Sequence, residues 1–308
     1  MKIVKEGEYT KMKNELITFV SPKTQISEVF RTLRTNIQFM NVDEGLKSLL
    51  ITSTVPGEGK SWVASNLAVT FAQAGKRVLI VDADMRKGRQ HNIFEVNNDK
   101  GLSNYLIMTT KNDSLNSIGD YIQTTMIDNL YIMTAGMIPP NPSELLTSQK
   151  MIDLIRYLEQ IFDIVIFDGT PSTIVTDAII LSKFVDSTLI VSAHKETKIE
   201  DLNQVKRNIT NVGGRIAGVV VNKMPSNKKE TKTGYYYESS IVTSKRTWGI
   251  NTKQTPKKKI EDAEINAVKR KLNEVEKTNE QNDAKKKEEV DINAVLQQLS
   301  QYLESDKK

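Results

Sequence analysis

A chain of 308 residues with no cysteine, only two histidines (His91 and His194) and 43 Lys/Arg against 38 Asp/Glu excludes a disulfide scaffold, a thiolate metal site and a histidine-rich metal centre. No apolar run approaches the roughly 20 residues of a membrane span, and Met1–Glu6 lacks the long apolar segment of a secretory signal, so a soluble chain in a reducing, cytoplasmic setting is expected. The charge is uneven: residues 1–222 net to zero, 223–259 hold 10 basic and 2 acidic residues, and 260–308 hold 9 and 12, which points to a basic tail with an acidic partner and argues against a nucleic-acid-binding fold.

In chain order, residues 1–20 carry little pattern and are expected to be a loose lead-in. Ile26, Val29, Phe30, Leu33, Ile37 and Met40 recur at helical spacing, which predicts an amphipathic helix over 24–40. Three-residue steps make Glu28, Arg31 and Arg34 neighbours on its charged side, by composition alone a solvated face. Ser48–Ile51 reads as a buried strand that runs into Thr52-Ser53-Thr54-Val55-Pro56-Gly57-Glu58-Gly59-Lys60-Ser61, and Val63, Ala64, Leu67, Ala68 and Phe71 then mark one face of a helix. Strand, Gly-rich loop ending Gly-Lys-Ser, and helix form the context of a phosphate-binding loop. Its glycines let successive N–H groups converge on phosphate oxygens at a positive helix end. Lys60 is placed to reach the β- and γ-phosphates, and the Ser61 hydroxyl to hold Mg²⁺. Thr54 stands where the common pattern has its first glycine.

A second buried strand, Arg77–Val81, leads into Asp82-Ala83-Asp84-Met85-Arg86. Its two carboxylates are expected to point roughly opposite ways, at the strand end where open α/β sheets bind ligands. Helix capping is the plain alternative; beside a phosphate loop, a place near Mg²⁺ is the better assignment. Residues 86–128 read as short helices and loops, Leu130–Met133 as a strand, and Pro139-Pro140-Asn141-Pro142 as an extended loop before a helix over 144–160 with Ser143 as its N-cap. The strand Phe162–Phe167 ends at Asp168-Gly169-Thr170-Pro171, a Walker B arrangement with its carboxylate beside the metal. Strands at 187–191 and 216–221 flank a helix over 198–211. The alternation predicts an α/β fold, a doubly wound and mostly parallel sheet of P-loop NTPase type over 21–223. A flexible basic tail (224–259) and a charged helical extension (260–308) follow. Asp291 is a fair N-cap for an amphipathic helix through Ile292, Val295, Leu296, Leu299, Tyr302 and Leu303, with docking on its own sheet and docking on a partner equally open.

Lys60, Ser61, Asp82, Asp84 and Asp168 together describe one nucleotide site suited to moving a γ-phosphoryl group. Hydrolysis and transfer to a hydroxyl use nearly the same parts, so the acceptor decides between them. Tyr235, Tyr236 and Tyr237 are consecutive in a basic, apolar-poor tail with no core to fill. A tether can present them to the site of the same or a neighbouring subunit, with Asp82 or Asp84 accepting the phenolic proton.

On these motifs, residues 21–223 resemble the bacterial tyrosine kinases (BY-kinases) of capsular and exopolysaccharide synthesis. The resemblance rests on Thr54 to Ser61 with its Pro56-Gly57-Glu58, on Asp82-Ala83-Asp84-Met85-Arg86 as the second (Walker A′) motif, and on Gly136…Pro139-Pro140-Asn141-Pro142…Glu144-Leu145-Leu146. Asp168 and the Glu28-x-x-Arg31-x-x-Arg34 helix complete it. It implies ATP- and Mg²⁺-dependent autophosphorylation of Tyr235, Tyr236 and Tyr237 between neighbours in a ring assembled through Glu28, Arg31 and Arg34. Pro56, Gly57, Glu58, Gly59, Lys60, Ser61 and Trp62 are the implied nucleotide contacts. Ser61, Asp82 and Asp168 are the implied metal residues, and Asn222 matches the position that meets adenine in related ATPases. It also implies activation by a membrane polysaccharide co-polymerase that recruits the kinase to the inner face of the plasma membrane and couples it to polymer export. Three departures stand out: Gly169-Thr170-Pro171 where Thr-Pro-Pro is commoner, Trp62 where a small residue is usual, and some seventy residues beyond the tyrosines. The competing expectation is a non-kinase ATPase switch of the plasmid-partition or division-site type, its basic tail on DNA or anionic membrane, although Val55 replaces the early lysine of those proteins. A scaffold that binds ATP without transferring phosphate is the third.

Overall fold

The computed structural model describes residues 15–40, 45–107 and 115–225. Tyr235, Tyr236, Tyr237 and the segments 224–259 and 260–308, apart from Met224 and Pro225, lie outside these. Helices α1 (Ile17–Val20) and α2 (Gln25–Met40) precede β1 (Ser48–Ser53), α3 (Lys60–Gln73), β2 (Val78–Asp82), α4 (Gln90–Phe94) and α5 (Leu102–Ile107). Then come a 3-10 turn (Leu115–Tyr121), β3 (Gln123–Thr124), β4 (Leu130–Met133), α6 (Pro142–Thr147), α7 (Gln149–Ile161), β5 (Ile164–Pro171), α8 (Asp177–Ser182), β6 (Ser187–Ala193), α9 (Ile199–Asn211) and β7 (Ile216–Asn222). Among the described residues, 115–119 are assigned to a second unit.

The strands form one sheet in the order β3-β4-β2-β5-β1-β6-β7, parallel except for the β3–β4 pair. Its centre reads as unbroken apolar runs because the strands are covered on both faces: every residue of β1, β2 and β6 is buried, whereas the edge strand β7 leaves Val219 and Val221 half-exposed. Helix α3 is buried on nearly all sides. Its Ala64, Ser65, Ala68 and Ala72 let it lie close to the sheet, in one core with Leu49, Ile51, Leu67, Ile80, Ile166 and Leu189. Each such aliphatic side chain contributes roughly 1.5–3 kcal/mol by leaving water.

Two local expectations fail for reasons of tertiary structure. Glu15–Val20 is not loose. Leu16 is fully buried, and the Thr18 N–H and hydroxyl both donate to Asn66 Oδ1 (3.0 and 2.9 Å), so this short segment is stitched to α3. The helix expected over 144–160 is two helices, broken at Ser148, which is extended (φ −66°, ψ 149°) and accepts the Met151 N–H at its hydroxyl (3.2 Å). Ser143 is no N-cap: it is the second residue of α6, behind Pro142 at the first turn, and its hydroxyl donates to Asp177 Oδ1 (2.6 Å).

Candidate active site

The phosphate loop joins β1 to α3 with Gly57 and Gly59 in the left-handed region (φ +85° and +94°), which glycine adopts without steric cost. Gly59 is also crowded: a Cβ there would lie 2.2 Å from Asn222 Nδ2, which reaches over from the end of β7 and donates to the Glu58 carbonyl (2.8 Å). The Glu58 side chain, expected among the nucleotide contacts, turns inward and is 1% exposed. Its carboxylate accepts from the Thr54 hydroxyl (2.7 Å), the Val55 N–H (2.9 Å) and the Thr197 hydroxyl. It braces the loop from behind. Thr54 is therefore not a lost glycine but a donor to that brace, and its carbonyl accepts the Thr173 hydroxyl (2.6 Å).

The Walker B departures have similar local causes. A Cβ on Gly169 would fall 2.8 Å from Leu50 Cδ1, so glycine lets β5 close on β1. Beyond it, the Thr52 hydroxyl donates to the Thr170 carbonyl (2.7 Å), and the Ser172 N–H to the Ser53 carbonyl (2.8 Å). Trp62, also expected at the nucleotide, instead packs edge-on against Phe30 of α2, with ring centroids 5.2 Å apart. Its bulk serves the α2–α3 contact.

Charge gathers at the ends of β1 and β2 and at Asp168 within β5. Lys60 Nζ lies 3.1 Å from Asp84 Oδ2 and 3.6 Å from Asp168 Oδ1, and donates to Ser61 Oγ (3.2 Å). Burial opposes its charge, but Asp168, Asp84 and Asp82 outweigh that penalty and raise its pKa. Asp82 and Asp84 do not point apart: β2 ends at Asp82, the chain turns with the Asp84 N–H donating to Asp82 Oδ1 (3.3 Å), and both carboxylates bear on Lys60. Asp82 is fully buried opposite Asp168 in the β2–β5 ladder. Burial, then the charge of Asp168, push its pKa up to about 8 against the opposing Gln90 N–H and Lys60. Asp168 is asymmetric: Oδ2 accepts Gln90 Nε2 (2.8 Å), whereas buried Oδ1 has no hydrogen-bond donor.

That orphaned oxygen and the Ser61 hydroxyl, which both lie within 3.6 Å of Lys60 Nζ, are oxygen ligands of the kind that suits a divalent cation. Among the described residues no three His, Cys, Asp or Glu side chains are arranged as a metal site by themselves. A cation here would complete its shell from phosphate and water, as Mg²⁺ commonly does.

Motif reading misses one site residue, Gln90, and one contact, that of Arg86 with Asp177. Gln90 opens α4 and is fully buried between Asp82, Asp168 and Ser61; a polar residue eight positions after Asp82 is its whole sequence signal. Arg86 Nε and Nη2 grip Asp177 (2.7 and 3.1 Å), and Nη2 also reaches Ser143 (3.2 Å), tying the Asp82-x-Asp84-x-Arg86 segment to α6 and α8. The charged side of α2 is engaged within the chain. Arg31 pairs with Glu28 and donates to the Pro22 carbonyl (2.7 Å). Arg34 donates to the Thr70 carbonyl (2.7 Å) in the last turn of α3, a helix end that favours a cation.

The family model described as an AAA domain matches residues 46–218. CapB of Staphylococcus aureus is 43% identical over 218 residues, covering 70% of this chain and 92% of CapB. The tyrosine-protein kinase YwqD of Bacillus subtilis is 38% identical over 227 residues, 74% of this chain and 93% of its own. Among solved structures, the chimerical protein CapA2B2 superposes with a TM-score of 0.64 at 42% identity, over 69% of this chain and 91% of the other. The kinase domain of the Escherichia coli tyrosine kinase ETK gives 0.59 at 33%, over 65% and 78%. With the loop, the two Asp motifs and the sheet order in place, these matches decide the affiliation: the chain belongs to the bacterial tyrosine-kinase family of P-loop ATPases.

Proposed function

We propose that this chain transfers the γ-phosphoryl group of ATP to protein tyrosine, its own Tyr235, Tyr236 and Tyr237 first, and that this autophosphorylation controls capsular or exopolysaccharide assembly. The observation that carries the proposal is Lys60, buried at the start of α3 between Asp84 and Asp168 and next to Ser61. Phosphoryl transfer needs positioning and charge neutralisation more than covalent participation by the protein. Lys60 is a cation whose counter-charges can be exchanged for phosphate oxygens. Ser61 and Asp168 would hold Mg²⁺, which would supply further neutralisation of the triphosphate. Asp84, beyond the end of β2 and in contact with Lys60, is better placed than the enclosed Asp82 to accept the phenolic proton. Asn222, beside Gly59, is assigned to the adenine end.

Partner and place follow the family. The proposed activator is the cytoplasmic end of a membrane polysaccharide co-polymerase, and the proposed assembly is a ring through α2. Among the described residues no helix is long and apolar enough to cross a membrane, consistent with recruitment by that adaptor. The test is incubation of the full chain with labelled ATP, Mg²⁺ and the adaptor segment. Phosphotyrosine should form, and Lys60→Ala should abolish it; an unlabelled wild type with adaptor present would refute the assignment. The basic excess in 223–259 supports a second reading, an ATPase switch whose tail meets DNA or anionic lipid. Salt-sensitive DNA or liposome binding that disappears on deleting 223–259, without tyrosine labelling, would favour it.

A further inference from the structure

We infer that Gln90 is the positioning residue of this site: it holds Asp168 in the one orientation that leaves Oδ1 open to a cation, and locks that carboxylate to the Ser61 end of α3. The inference rests on the nucleotide-site reading above. Gln90 is fully buried and uses its whole amide group. Nε2 donates to Asp168 Oδ2 (2.8 Å) and to the Ser61 carbonyl (3.2 Å), and Oε1 lies 2.8 Å from the Ser65 hydroxyl. A carbonyl, and a carboxylate when ionised, accept but do not donate, so the nitrogen side must face Ser61 and Asp168 and the amide cannot be flipped. Its backbone N–H meets Asp82 Oδ2 (2.9 Å) in addition. One residue thus joins the end of β2 and Asp168 of β5 to the first two turns of α3.

The consequence for Asp168 is rotational. The terminal torsion of an aspartate is broad and its two oxygens are equivalent by chemistry. Here they differ only because Gln90 saturates Oδ2, while Oδ1 stays buried without a donor, 3.6 Å from Lys60 Nζ. Without Gln90 the carboxylate is free to turn Oδ1 away from Lys60, and the spacing of Asp168 and Ser61 is no longer set by a shared neighbour. Partners that orient ligands in this way typically carry 10–100-fold in metal affinity. Packing alone predicts something different: loss of Gln90 would loosen α4 and weaken nucleotide binding equally with and without a cation.

The experiment measures the affinity of the full chain for a fluorescent ADP analogue with and without Mg²⁺, alongside the melting temperature. Gln90→Met keeps the volume and the backbone N–H but removes the amide. The expected result is unchanged affinity without Mg²⁺, a Mg²⁺-dependent gain reduced by about 10-fold or more, and a lower kcat for tyrosine phosphorylation at unchanged KM for the tyrosine substrate. Gln90→Glu keeps the shape and sets an acceptor against Asp168, and should reduce the Mg²⁺-dependent gain at least as much, which keeps the test open if the Met variant folds poorly. A wild-type Mg²⁺-dependent gain in either folded variant, or equal losses with and without Mg²⁺, overturns the inference. A wild type that binds no ADP under any condition overturns the nucleotide-site reading itself.

Discussion

Glu58 and Asp168 are both buried carboxylates on either side of the same phosphate loop, and they are treated in opposite ways. Glu58 accepts from Thr54, Val55 and Thr197, donors on both of its oxygens. Asp168 has Gln90 on one oxygen, no hydrogen-bond donor on the other, and Lys60 as a counter-ion at 3.6 Å. Buried polar groups are nearly always satisfied, so the completed group belongs to the architecture and the incomplete one marks the place prepared for a ligand. Burial does not separate them; the acceptor oxygen left without a donor does.

The sharpest way to break this contrast is Asp168→Asn. Phosphotyrosine formation should fall on the order of 10²–10³-fold, the scale of losing one preorganised electrostatic group. The melting temperature of the nucleotide-free chain should hold or rise, because the substitution removes the buried charge that faces Asp82 while Lys60 keeps Asp84 as its counter-ion. A strongly destabilised variant would make Asp168 a structural residue. Glu58→Gln should do the reverse. An amide nitrogen then replaces one of the two accepting oxygens and leaves at least one of these donors without its acceptor, at a cost of roughly 1–3 kcal/mol, while the folded fraction still binds nucleotide. Urea unfolding beside ADP titration separates the two effects, and an inactive variant of wild-type stability would put Glu58 back among the nucleotide contacts.

The mildest probe is pH, through Asp82. With its pKa pushed up to about 8 in the folded chain and near 3.9 when unfolded, the native state holds a proton that the unfolded state has lost. The contribution of Asp82 to stability is therefore greatest below the unfolded value, declines as pH rises from about 4 through about 8, and is level above. Denaturation midpoints of the wild type should show that decline between pH 5 and 8, and Asp82→Asn should flatten it. Parallel curves would mean that Asp82 is ionised in the folded chain.

What could be read in advance was whatever is local. The strand runs, the Gly-Lys-Ser loop and Asp168 each occupy a few consecutive residues and fall in the expected order, although β5 starts at Ile164 and continues through Asp168 to Pro171 instead of stopping before it. What could not be read depends on a partner far along the chain. Thr18 is ordered by Asn66, 48 residues on. Ser143 abandons its capping role for Asp177 and Arg86, leaving Ser148 to start α7. Gln90 looks like any polar helix residue until Asp168 is brought to it from 78 residues away. Trp62 looked misplaced because Phe30, on another helix, is what it packs against.

The braces behind the phosphate loop also set a timetable. They bind it to Thr170, Thr197 and Asn222, across 118, 139 and 164 residues, and contacts so distant in sequence are the slow ones to form. At ribosomal rates of about 5–20 residues per second, Glu58 waits on the order of ten seconds for Asn222 to be made. A nascent chain therefore shows strand and helix before it has a nucleotide cradle.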